Sequence, residues 1–366
     1  MRISFACNNI GTGGAERVLC GIANRMSLDG HDVRIICYKK LDSFYYHLEK
    51  KVEIIELDPN INSRNSFISR KFAGIFNLKR LFDAVKGSDC VISFYTRQNC
   101  YSILVCRLLH IPVICAERDS RFMTDGKINH IMRKVFYPFA NGFIHQTKMA
   151  QEYLRKHEGV KCKDIVIPNP IWMESFADRK EIEGYVSTVG RIDAGKNIDG
   201  IIRAFAGVLK DVPYASLHIW GEGPNLDEYK ALVLEKGLTD SIFFEGHTND
   251  VSQVYLQSEV FVLFSHGEGY PNVLMEALAF GTPSVASDCP VGGPRDMINN
   301  GVNGFLVENE NEEALSSAIT RLLKNETLRE KFSNSCIVIR ESNSFQTIYE
   351  KWMHYIQIIY EGENVK

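Results

Sequence analysis

Residues 260–278 of this 366-residue chain, VFVLFSHGEGYPNVLMEAL, contain the clearest fold signal in the sequence. Its first five residues, Val260–Phe264, are apolar and predict a buried strand, and the glycine-rich loop behind them leads into a helix that begins near Pro271. A strand, a loop and a helix in this order form the repeating unit of α/β proteins. The stretch therefore predicts a sheet of parallel strands covered by helices.

The same alternation of short apolar runs and helix-like segments extends in both directions from this stretch. It predicts the α/β class, with parallel sheets that carry helices on both faces. The predicted strands are Ile3–Cys7, Val33–Cys37, Val52–Leu57, Cys90–Phe94, Pro112–Ala116, Phe143–Gln146, Ile165–Ile167, Tyr185–Val189, Ser216–Trp220, Ile242–Phe244, Val260–Phe264, Ser284–Ala286 and Phe305–Val307.

The alternation breaks near Pro168-Asn169-Pro170, and the charge balance changes close to the same point. Residues 1–180 contain 28 basic and 18 acidic side chains, a net charge of +10, whereas residues 181–366 contain 14 and 27, a net charge of −13. Chains longer than about 250–300 residues usually form more than one core. We predict two doubly wound, Rossmann-like domains facing a central cleft, residues 1–172 and 173–343, and a C-terminal helix, residues 344–366, that packs back toward the first domain.

The composition excludes several classes of protein. Hydrophobic residues make up 45% of the chain and charged residues 24%, values typical of a folded rather than a disordered protein. No run approaches the roughly 18 apolar residues of a membrane-spanning helix, and the N-terminal residues lack the apolar segment of a signal peptide. The ten cysteines form no C-x-x-C pair, which favours reduced, buried thiols in a cytosolic protein.

Two loops that follow predicted strands offer groups suited to a phosphate. Gly13 and Gly14 precede a helix, whose first backbone N–H groups lie at its positive end. Arg191 and Lys196 follow the strand Tyr185–Val189; arginine can bind two oxygens in a fixed fork, and lysine adds a mobile point charge. Each loop by itself could equally be a simple turn or a solvated surface loop.

Two glutamates eight residues apart carry the most specific signal. Glu268 lies in the loop after Val260–Phe264, within reach of a sugar, and Glu276 lies inside the following helix. A carboxylate at that depth can accept paired hydrogen bonds from a vicinal diol such as a ribose. A further glycine turn, Gly221 and Gly223, either lets a substrate approach the sheet closely or is only a turn.

With these motifs the chain resembles the retaining GT-B glycosyltransferases of family 4, the glycosyl transferases group 1, of the type that builds bacterial surface polysaccharides. The resemblance covers essentially the whole chain and is densest from Gly190 to Val307. The residues that carry it are Gly13-Gly14-Ala15-Glu16, Gly190-Arg191, Lys196-Asn197, Gly221-Glu222-Gly223, Glu268-Gly269, Pro271-Asn272, Glu276-Ala277, Gly281, Pro283 and Asn303-Gly304.

The resemblance implies a nucleotide-diphosphate sugar, UDP-linked, bound mainly by the C-terminal domain. The cations would hold the diphosphate and neutralise the leaving group, and the carboxylates would bind ribose and sugar. The implied catalytic residues are Arg191, Lys196 and Glu268, and Glu117 is added as a catalytic candidate because of the departure described next. The implied donor-binding residues are Gly13, Gly14, Gly221, Gly223, Pro271, Asn272 and Glu276.

Two positions depart from the family pattern. Many members carry a histidine near the reacting carbon, but Arg118 occupies that place here, so Glu117 or Asp119 is left to accept a proton. Arg118 could instead stabilise a phosphate or the acceptor. Asp296 stands where a glutamate usually follows the Gly-Gly pair. Members of this fold need no metal, and the chain contains no Asp-x-Asp motif, so we expect no metal and no cofactor besides the nucleotide sugar.

Residues 61–86 contain six basic side chains and one acid, Asp83, among apolar residues. This pattern predicts a basic amphipathic helix on an anionic membrane surface, or else an ordinary helix packed on the sheet with its cations outward. No nucleic-acid-reading motif is present, so we expect no nucleic acid partner. The protein is expected to be cytoplasmic and peripheral, on the inner face of the plasma membrane.

These observations predict a retaining glycosyltransferase that moves a hexose or N-acetylhexosamine onto a glycan acceptor linked to lipid pyrophosphate. Its product would belong to a bacterial surface polysaccharide or a lipopolysaccharide O-antigen. Three alternatives fit the same two-domain architecture: a nucleotide-sugar epimerase, a phosphorylase, and a nucleotide-sugar-binding protein without catalytic activity.

Overall fold

The computed structural model describes residues 1–11, 13–39, 46–57, 77–118, 120–173 and 175–364. The chain divides into two compact units: unit 1 is Met1–Asn169 with Ile348–Lys366, and unit 2 is Pro170–Thr347. Each unit contains one parallel sheet with helices around it, which confirms the α/β class with two doubly wound domains.

Among its described residues, unit 1 contains seven strands, all parallel to their neighbours. The strands are β1 (Arg2–Cys7), β2 (Asp32–Cys37), β3 (Glu53–Glu56), β4 (Cys90–Phe94), β5 (Val113–Ala116), β6 (Gly142–His145) and β7 (Lys163–Val166). They lie in the order β3-β2-β1-β4-β5-β6-β7. The helices are α1 (Gly14–Leu28), α2 (77–85), α3 (Thr96–Leu109), α4 (Lys127–Phe136) and α5 (Lys148–His157).

Unit 2 contains a six-stranded parallel sheet. Its strands are β8 (Tyr185–Val189), β9 (Ser216–Trp220), β10 (Ile242–Gly246), β11 (Val260–Leu263), β12 (Ser284–Asp288) and β13 (Phe305–Glu308). They lie in the order β10-β9-β8-β11-β12-β13. The helices are α6 (Ile198–Asp211), α7 (Leu226–Glu235), α8 (Val251–Gln257), α9 (Asn272–Ala279), α10 (Gly293–Met297), α11 (Glu312–Leu323), α12 (Glu326–Cys336) and α13 (Ile339–Ser342).

The strand β11 shows how the sheet of unit 2 is buried on both faces. Val260 and Val262 belong to the core cluster on one face, and Phe261 and Leu263 belong to the cluster on the other. Because side chains alternate along a strand, an uninterrupted apolar run such as this one fits only a strand that is covered on both sides.

The last helix, α14 (Phe345–Asn364), contributes its residues from Ile348 onward to unit 1. Trp352 is completely buried there, and the hydroxyl of Tyr355 donates to the backbone oxygen of Lys163 at 2.6 Å and accepts from the backbone nitrogen of Phe143 at 2.8 Å. The end of the chain is thus part of the sheet packing of unit 1.

All thirteen predicted strands are confirmed, with ends within two residues of those predicted. The helix predicted over residues 61–86 lies largely outside the described residues, although 77–85 are helical. All ten cysteines are free thiols. Within the described ranges, no helix combines the length and the hydrophobicity that a membrane crossing requires.

Candidate functional site

The centre of the sheet in unit 2 brings several predicted site residues together. The strand β8 lies between β9 and β11, because the chain adds β9 and β10 on one side of β8 and then continues with β11 on the other side. In doubly wound sheets, ligands bind outside the carboxyl ends of the strands at such a reversal point. The loops there are joined by backbone hydrogen bonds, from His266 N to Gly195 O at 3.0 Å and from Glu268 N to Pro290 O at 2.7 Å.

Gly221 and Gly223 allow the loop after β9 to pack directly on the loop after β8. A Cβ atom at Gly221 would lie 1.9 Å from the backbone oxygen of Gly190, and one at Gly223 would lie 2.1 Å from that of Ile192. Gly221 also has a φ of +129°, a conformation that side chains disfavour. The loop packing therefore requires both glycines, whatever they contact in a ligand.

Lys196 and Glu268, both predicted catalytic residues, form an ion pair at this reversal point. Lys196 Nζ donates to Glu268 Oε1 at 2.5 Å, and the hydroxyl of Ser265 donates to the same oxygen at 2.8 Å. The side chains are 29% and 11% exposed, so the pair is partly shielded from water while one side stays open to solvent. A ligand that enters the site thus meets one cation and one carboxylate in contact with each other.

The guanidinium of Arg191 is much more accessible, with its side chain 75% exposed. It forms an ion pair with Asp193, two residues further along the same loop. An exposed pair of this kind is worth at most about 1 kcal/mol, so an anionic ligand can replace Asp193 at little cost.

Glu276 lies in α9, which begins directly after Pro271 and carries Asn272 at its first position, as predicted. The Glu276 side chain is buried, and its Oε2 atom accepts a hydrogen bond from the hydroxyl of Tyr255 at 3.2 Å. The start of the helix is held by a close contact, since a Cβ atom at Gly293 would lie 1.9 Å from the backbone oxygen of Gly269. Asp296 lies exposed in the short helix α10.

In unit 1 the strand order reverses between β1 and β4, and the predicted phosphate-binding glycines follow β1. Gly13 is the N-cap of α1, and the carboxylate of Glu16 folds back over it. The hydroxyl of Tyr95 donates to Glu16 Oε1 at 2.7 Å. Tyr95 has a φ of +75°, a strained conformation for an aromatic residue.

Glu117 is buried in unit 1 and is held by side chains of its own unit. Its Oε1 atom accepts hydrogen bonds from the hydroxyls of Thr96, at 2.7 Å, and Tyr137. Arg133 Nη1 donates to the same Thr96 hydroxyl at 3.1 Å. These contacts stabilise the loop after β5, and they leave Glu117 4% exposed to solvent. Asp119, the other candidate acid of this loop, lies outside the described residues.

Arg118 is also buried, and its guanidinium lies over the rings of Phe94 and Trp352, 5.1 and 5.4 Å from their centroids. Nη1 donates to Asn169 Oδ1 at 3.1 Å, whereas Nε and Nη2 have no hydrogen-bond partner among the described residues. Burial, opposed by the neighbouring Tyr95, lowers the pKa of Arg118 to about 10. Together, Nε–H and Nη2–H suit an oxyanion bound through two oxygens.

Comparisons with known proteins agree with this geometry. Residues 12–174 match the family described as Glycosyltransferase Family 4, and residues 174–336 match the family described as Glycosyl transferases group 1. The matches together extend over most of both units. The chain therefore belongs to the GT-B glycosyltransferases of this group.

One similar protein is a Campylobacter jejuni enzyme whose name is GalNAc-alpha-(1->4)-GalNAc-alpha-(1->3)-diNAcBac-PP-undecaprenol alpha-1,4-N-acetyl-D-galactosaminyltransferase. It is 28% identical over 361 residues, which are 97% of this chain and 98% of that protein. Sucrose-phosphate synthase from Thermosynechococcus elongatus has the same fold, with a TM-score of 0.81, 18% identity and 99% coverage of each chain. Anabaena HepE, solved in complex with UDP, has a TM-score of 0.79 and 16% identity, over 98% of this chain and 100% of that one.

Several residues around the site were not predicted from the sequence. Ser265 directly follows the predicted strand Val260–Phe264 and could have been suspected from its place at a strand end. Tyr255, Tyr95 and Trp352 contact site residues only through the tertiary fold, and no spacing in the sequence points to them.

Proposed function

We propose that this protein is a retaining glycosyltransferase that transfers a hexose or N-acetylhexosamine from a UDP-sugar to a glycan on a lipid pyrophosphate carrier. The observation that carries the proposal is the Lys196–Glu268 pair at the reversal point of unit 2. The pair offers a cation to a diphosphate and a carboxylate to sugar hydroxyls in one place. Such carriers occur in the assembly of bacterial surface polysaccharides and lipopolysaccharide O-antigens.

Two of the comparisons support the choice of substrates. The name of the Campylobacter relative describes N-acetylgalactosaminyl transfer to a glycan on undecaprenol diphosphate, and that relative matches this chain over nearly its full length. The HepE structure contains UDP within the same fold. An N-acetylhexosamine on UDP and a polyprenyl diphosphate acceptor are therefore the first substrates to test.

Donor binding would replace the carboxylate partner of each cation by a diphosphate oxygen. Lys196 leaves Glu268 and binds a diphosphate oxygen, and Arg191 leaves Asp193 and binds another in its fork. Glu268, still held by Ser265, is then available to accept hydrogen bonds from hydroxyls of the donor sugar. The two cations stabilise the charge that develops on the diphosphate as the glycosidic bond breaks, a contribution of about 3–4 kcal/mol for one such group.

The remaining donor contacts follow the sequence prediction. Glu276, held by Tyr255, binds the ribose hydroxyls, and Asn272 at the start of α9 contacts the sugar. Gly221 and Gly223 allow the loops beside the diphosphate to pack closely together. Gly13 and Gly14, at the start of α1, provide backbone N–H groups for a phosphate oxygen.

Retention of the anomeric configuration fits a displacement in which the acceptor attacks from the face that the diphosphate leaves. A donor phosphate oxygen then takes the proton of the acceptor hydroxyl, and the leaving diphosphate is already neutralised by cations. This chemistry does not need a histidine base, which agrees with an arginine at position 118. Glu117 remains the candidate carboxylate on the acceptor side, and replacement of Glu117 by Gln tests it directly.

Cationic side chains take the part that a divalent ion plays in metal-dependent glycosyltransferases, so we propose metal-independent transfer. The enzyme would work in the cytoplasm on the inner face of the plasma membrane, where the lipid carrier is accessible. The basic segment 61–86 is expected from its sequence to contribute to that location.

A panel of UDP-, GDP- and ADP-sugars with short polyprenyl-diphosphate glycans tests the proposal, with product mass as the readout. The expected result is one added sugar from one UDP-sugar, without added metal and in the presence of EDTA. Hydrolysis of the donor alone, or an epimerised donor without transfer, would favour the epimerase or the binding protein. Phosphate-dependent release of a sugar phosphate would favour the phosphorylase.

A further inference from the structure

The helix α4 of unit 1 exposes three of its five apolar residues, while Met132 and Phe136 are half-buried. Ile128, Ile131 and Val135 are 74%, 59% and 52% exposed, while Arg133 is the one residue of α4 that is fully buried. At 100° per residue, the three aliphatic side chains lie within about 60° of one another, and Arg133 lies on the opposite side. A surface helix of a soluble domain normally turns its apolar stripe inward, so α4 is reversed.

A network of polar contacts fixes this reversed orientation. Arg133 forms an ion pair with Asp125 at 2.7 Å, reaches the buried carboxylate of Glu158 at 3.2 Å, and donates to the backbone oxygen of Phe122 at 2.8 Å. His130 of α4 also contacts Glu158 Oε1, at 2.7 Å, so an outward rotation of α4 would remove both partners from a buried carboxylate. The exposure of the aliphatic stripe is therefore a property of the fold.

Elements next to α4 also expose apolar side chains. The helix α3 packs against α4, and its Leu104 and Leu108 are 39% and 66% exposed. Phe139, in the turn Tyr137–Phe139 that follows α4, is 53% exposed. We call these side chains the α3–α4 face: Leu104, Leu108, Ile128, Ile131, Val135 and Phe139. Apolar surface gathered on one face in this way commonly marks a binding surface.

Cations border the α3–α4 face. Lys127 and Lys134 lie one heptad apart on the same flank of the aliphatic stripe, and Arg107 lies on α3 between the two leucines; all three are exposed. Among the described residues of 96–139, the acids are Glu117, which is buried, and Asp125, which is paired with Arg133. A groove of about 390 Å³ lies next to Phe139 and has Arg107 and Lys163 in its wall.

We propose that the α3–α4 face is a membrane-docking surface that inserts its aliphatic side chains into an anionic lipid bilayer. Helices that lie in a bilayer interface carry aliphatic and aromatic residues on one face and lysine or arginine beside it, which is the arrangement of α4. The flanking cations contact lipid phosphates, and the groove beside Arg107 and Lys163 is large enough for a headgroup. The surface lies outside residues 61–86, and it serves the proposed function by bringing unit 1 to the lipid on which the acceptor is carried.

Vesicle flotation of the whole protein tests the surface. The probes are vesicles of phosphatidylglycerol and phosphatidylcholine in equal parts, and vesicles of phosphatidylcholine alone, at low salt. Wild type is expected to float with the anionic vesicles and much less with the neutral ones. The double variant Lys127→Gln with Lys134→Gln is expected to weaken binding to anionic vesicles about 30-fold, because each cation contributes about 1 kcal/mol of attraction to the membrane. The pair Ile131→Gln with Val135→Gln is expected to weaken it about tenfold or more.

Matched controls lie on α7 of unit 2 and at Lys236, which caps its C-terminus. Lys230→Gln with Lys236→Gln makes the same charge change, and Leu234→Gln removes a side chain that is 70% exposed. These variants should float as wild type does. All the substituted positions are on the surface, so circular dichroism melting curves should coincide with that of wild type.

The proposal is overturned if wild type does not float, or if the α4 variants float as well as wild type. It is also overturned if wild type elutes as a dimer in gel filtration and the double variant Ile131→Gln with Val135→Gln elutes as a monomer. The surface would then join two copies of this chain. Turnover with a water-soluble acceptor is measured in parallel and should be the same in all variants. A wild-type enzyme that binds vesicles but transfers no sugar would contradict the proposed function and leave the docking surface intact.

Discussion

Lys196 Nζ lies 2.5 Å from Glu268 Oε1, although the two residues are 72 positions apart in the sequence. Each residue pairs with the opposite charge of the other in a partly buried site. The hydroxyl of Ser265 holds the same Glu268 Oε1 atom by a hydrogen bond. In the proposed reaction the same two groups separate, one toward the diphosphate and one toward the sugar. The ion pair therefore competes with the donor, and this competition gives opposite predictions for the two residues.

Replacement of Lys196 by Ala should lower kcat/KM for the donor by about 10²–10³, because a cation that stabilises the leaving group is removed. Steady-state transfer assays measure this effect. Lys210→Ala removes an exposed lysine of the following helix, α6, and should leave turnover unchanged. Equal activity of Lys196→Ala and wild type with saturating donor would mean that the diphosphate binds elsewhere.

Replacement of Glu268 by Gln should tighten the binding of UDP, which has no sugar, by about fivefold while it lowers kcat with the full donor. The carboxylate no longer competes for Lys196, and this gain corresponds to about 1 kcal/mol. Titration calorimetry with UDP, together with turnover of the UDP-sugar, separates the two effects. Weaker UDP binding by this variant would show that Glu268 does not hold Lys196 away from the phosphate.

Arg118 and Arg133, both buried in unit 1, should respond differently to replacement by lysine. Arg118→Lys should lower kcat about tenfold with little change in melting temperature, because the proposed oxyanion contact needs the Nε and Nη2 fork. Arg133→Lys should lower the melting temperature by several degrees, with normal kcat for the folded enzyme, since Arg133 contacts Asp125 and Glu158. If Arg118 had a purely structural role, Arg118→Lys would instead lower the melting temperature and leave kcat normal, as expected for Arg133→Lys.

Gly221→Ala should destabilise unit 2 by about 2–4 kcal/mol, because the new Cβ would overlap the backbone oxygen of Gly190 at a φ of +129°. Gly237→Ala is the matched control. Gly237 also has a positive φ, +66°, but nothing lies within 4 Å of its Cβ position, so the cost should be about 1 kcal/mol. Urea unfolding curves compare the two, and similar midpoints would contradict the close packing of the loops.

Acid should destabilise unit 1 through Asp164. Burial alone would raise the pKa of this carboxyl, but hydrogen bonds from His145 and Arg155 lower the pKa to about 2. The value in an unfolded chain is about 3.9. Because the folded pKa is the lower one, the stabilisation of about 2 kcal/mol is present above pH ~4 and is lost as the pH falls toward 2.

Urea midpoints of wild type and Asp164→Asn measure this effect at pH 6 and pH 3. The variant should be less stable than wild type at pH 6 and should lose less stability between the two values. If Asp164→Asn loses as much stability as wild type between pH 6 and pH 3, other carboxylates determine the loss of stability in acid.

The strands could be predicted from the sequence because buried parallel strands are apolar along their whole length. The two-residue errors at their ends occur where strands are polar: β7 begins with Lys163 and Asp164, β10 ends with Glu245 and Gly246, and β12 ends with Ser287 and Asp288. The strands β7 and β10 lie at the edge of a sheet, where one side of the strand has no neighbour and polar residues are tolerated, whereas β12 is an inner strand.

The site could be predicted only in part from the sequence. Glu268 and Lys196 stood out because each follows a predicted strand, and neighbouring parallel strands bring their carboxyl ends together. That they contact each other depends on side-chain packing. The partners of Glu276 and Arg118, namely Tyr255 and Trp352, lie on other elements of the fold, and no spacing in the sequence points to them. The same is true of the contact between Arg133 and Glu158 that orients α4.

The anomeric configuration of the product tests the central proposal most directly. The protein is incubated with the UDP-sugar and polyprenyl-diphosphate glycan that give transfer, and the new linkage is assigned by proton NMR. We predict an acceptor lengthened by one sugar in the α configuration of the donor, formed in EDTA and lost in Lys196→Ala. A β-linked product, or no lengthened acceptor with any donor of the panel, would contradict retaining transfer by this protein.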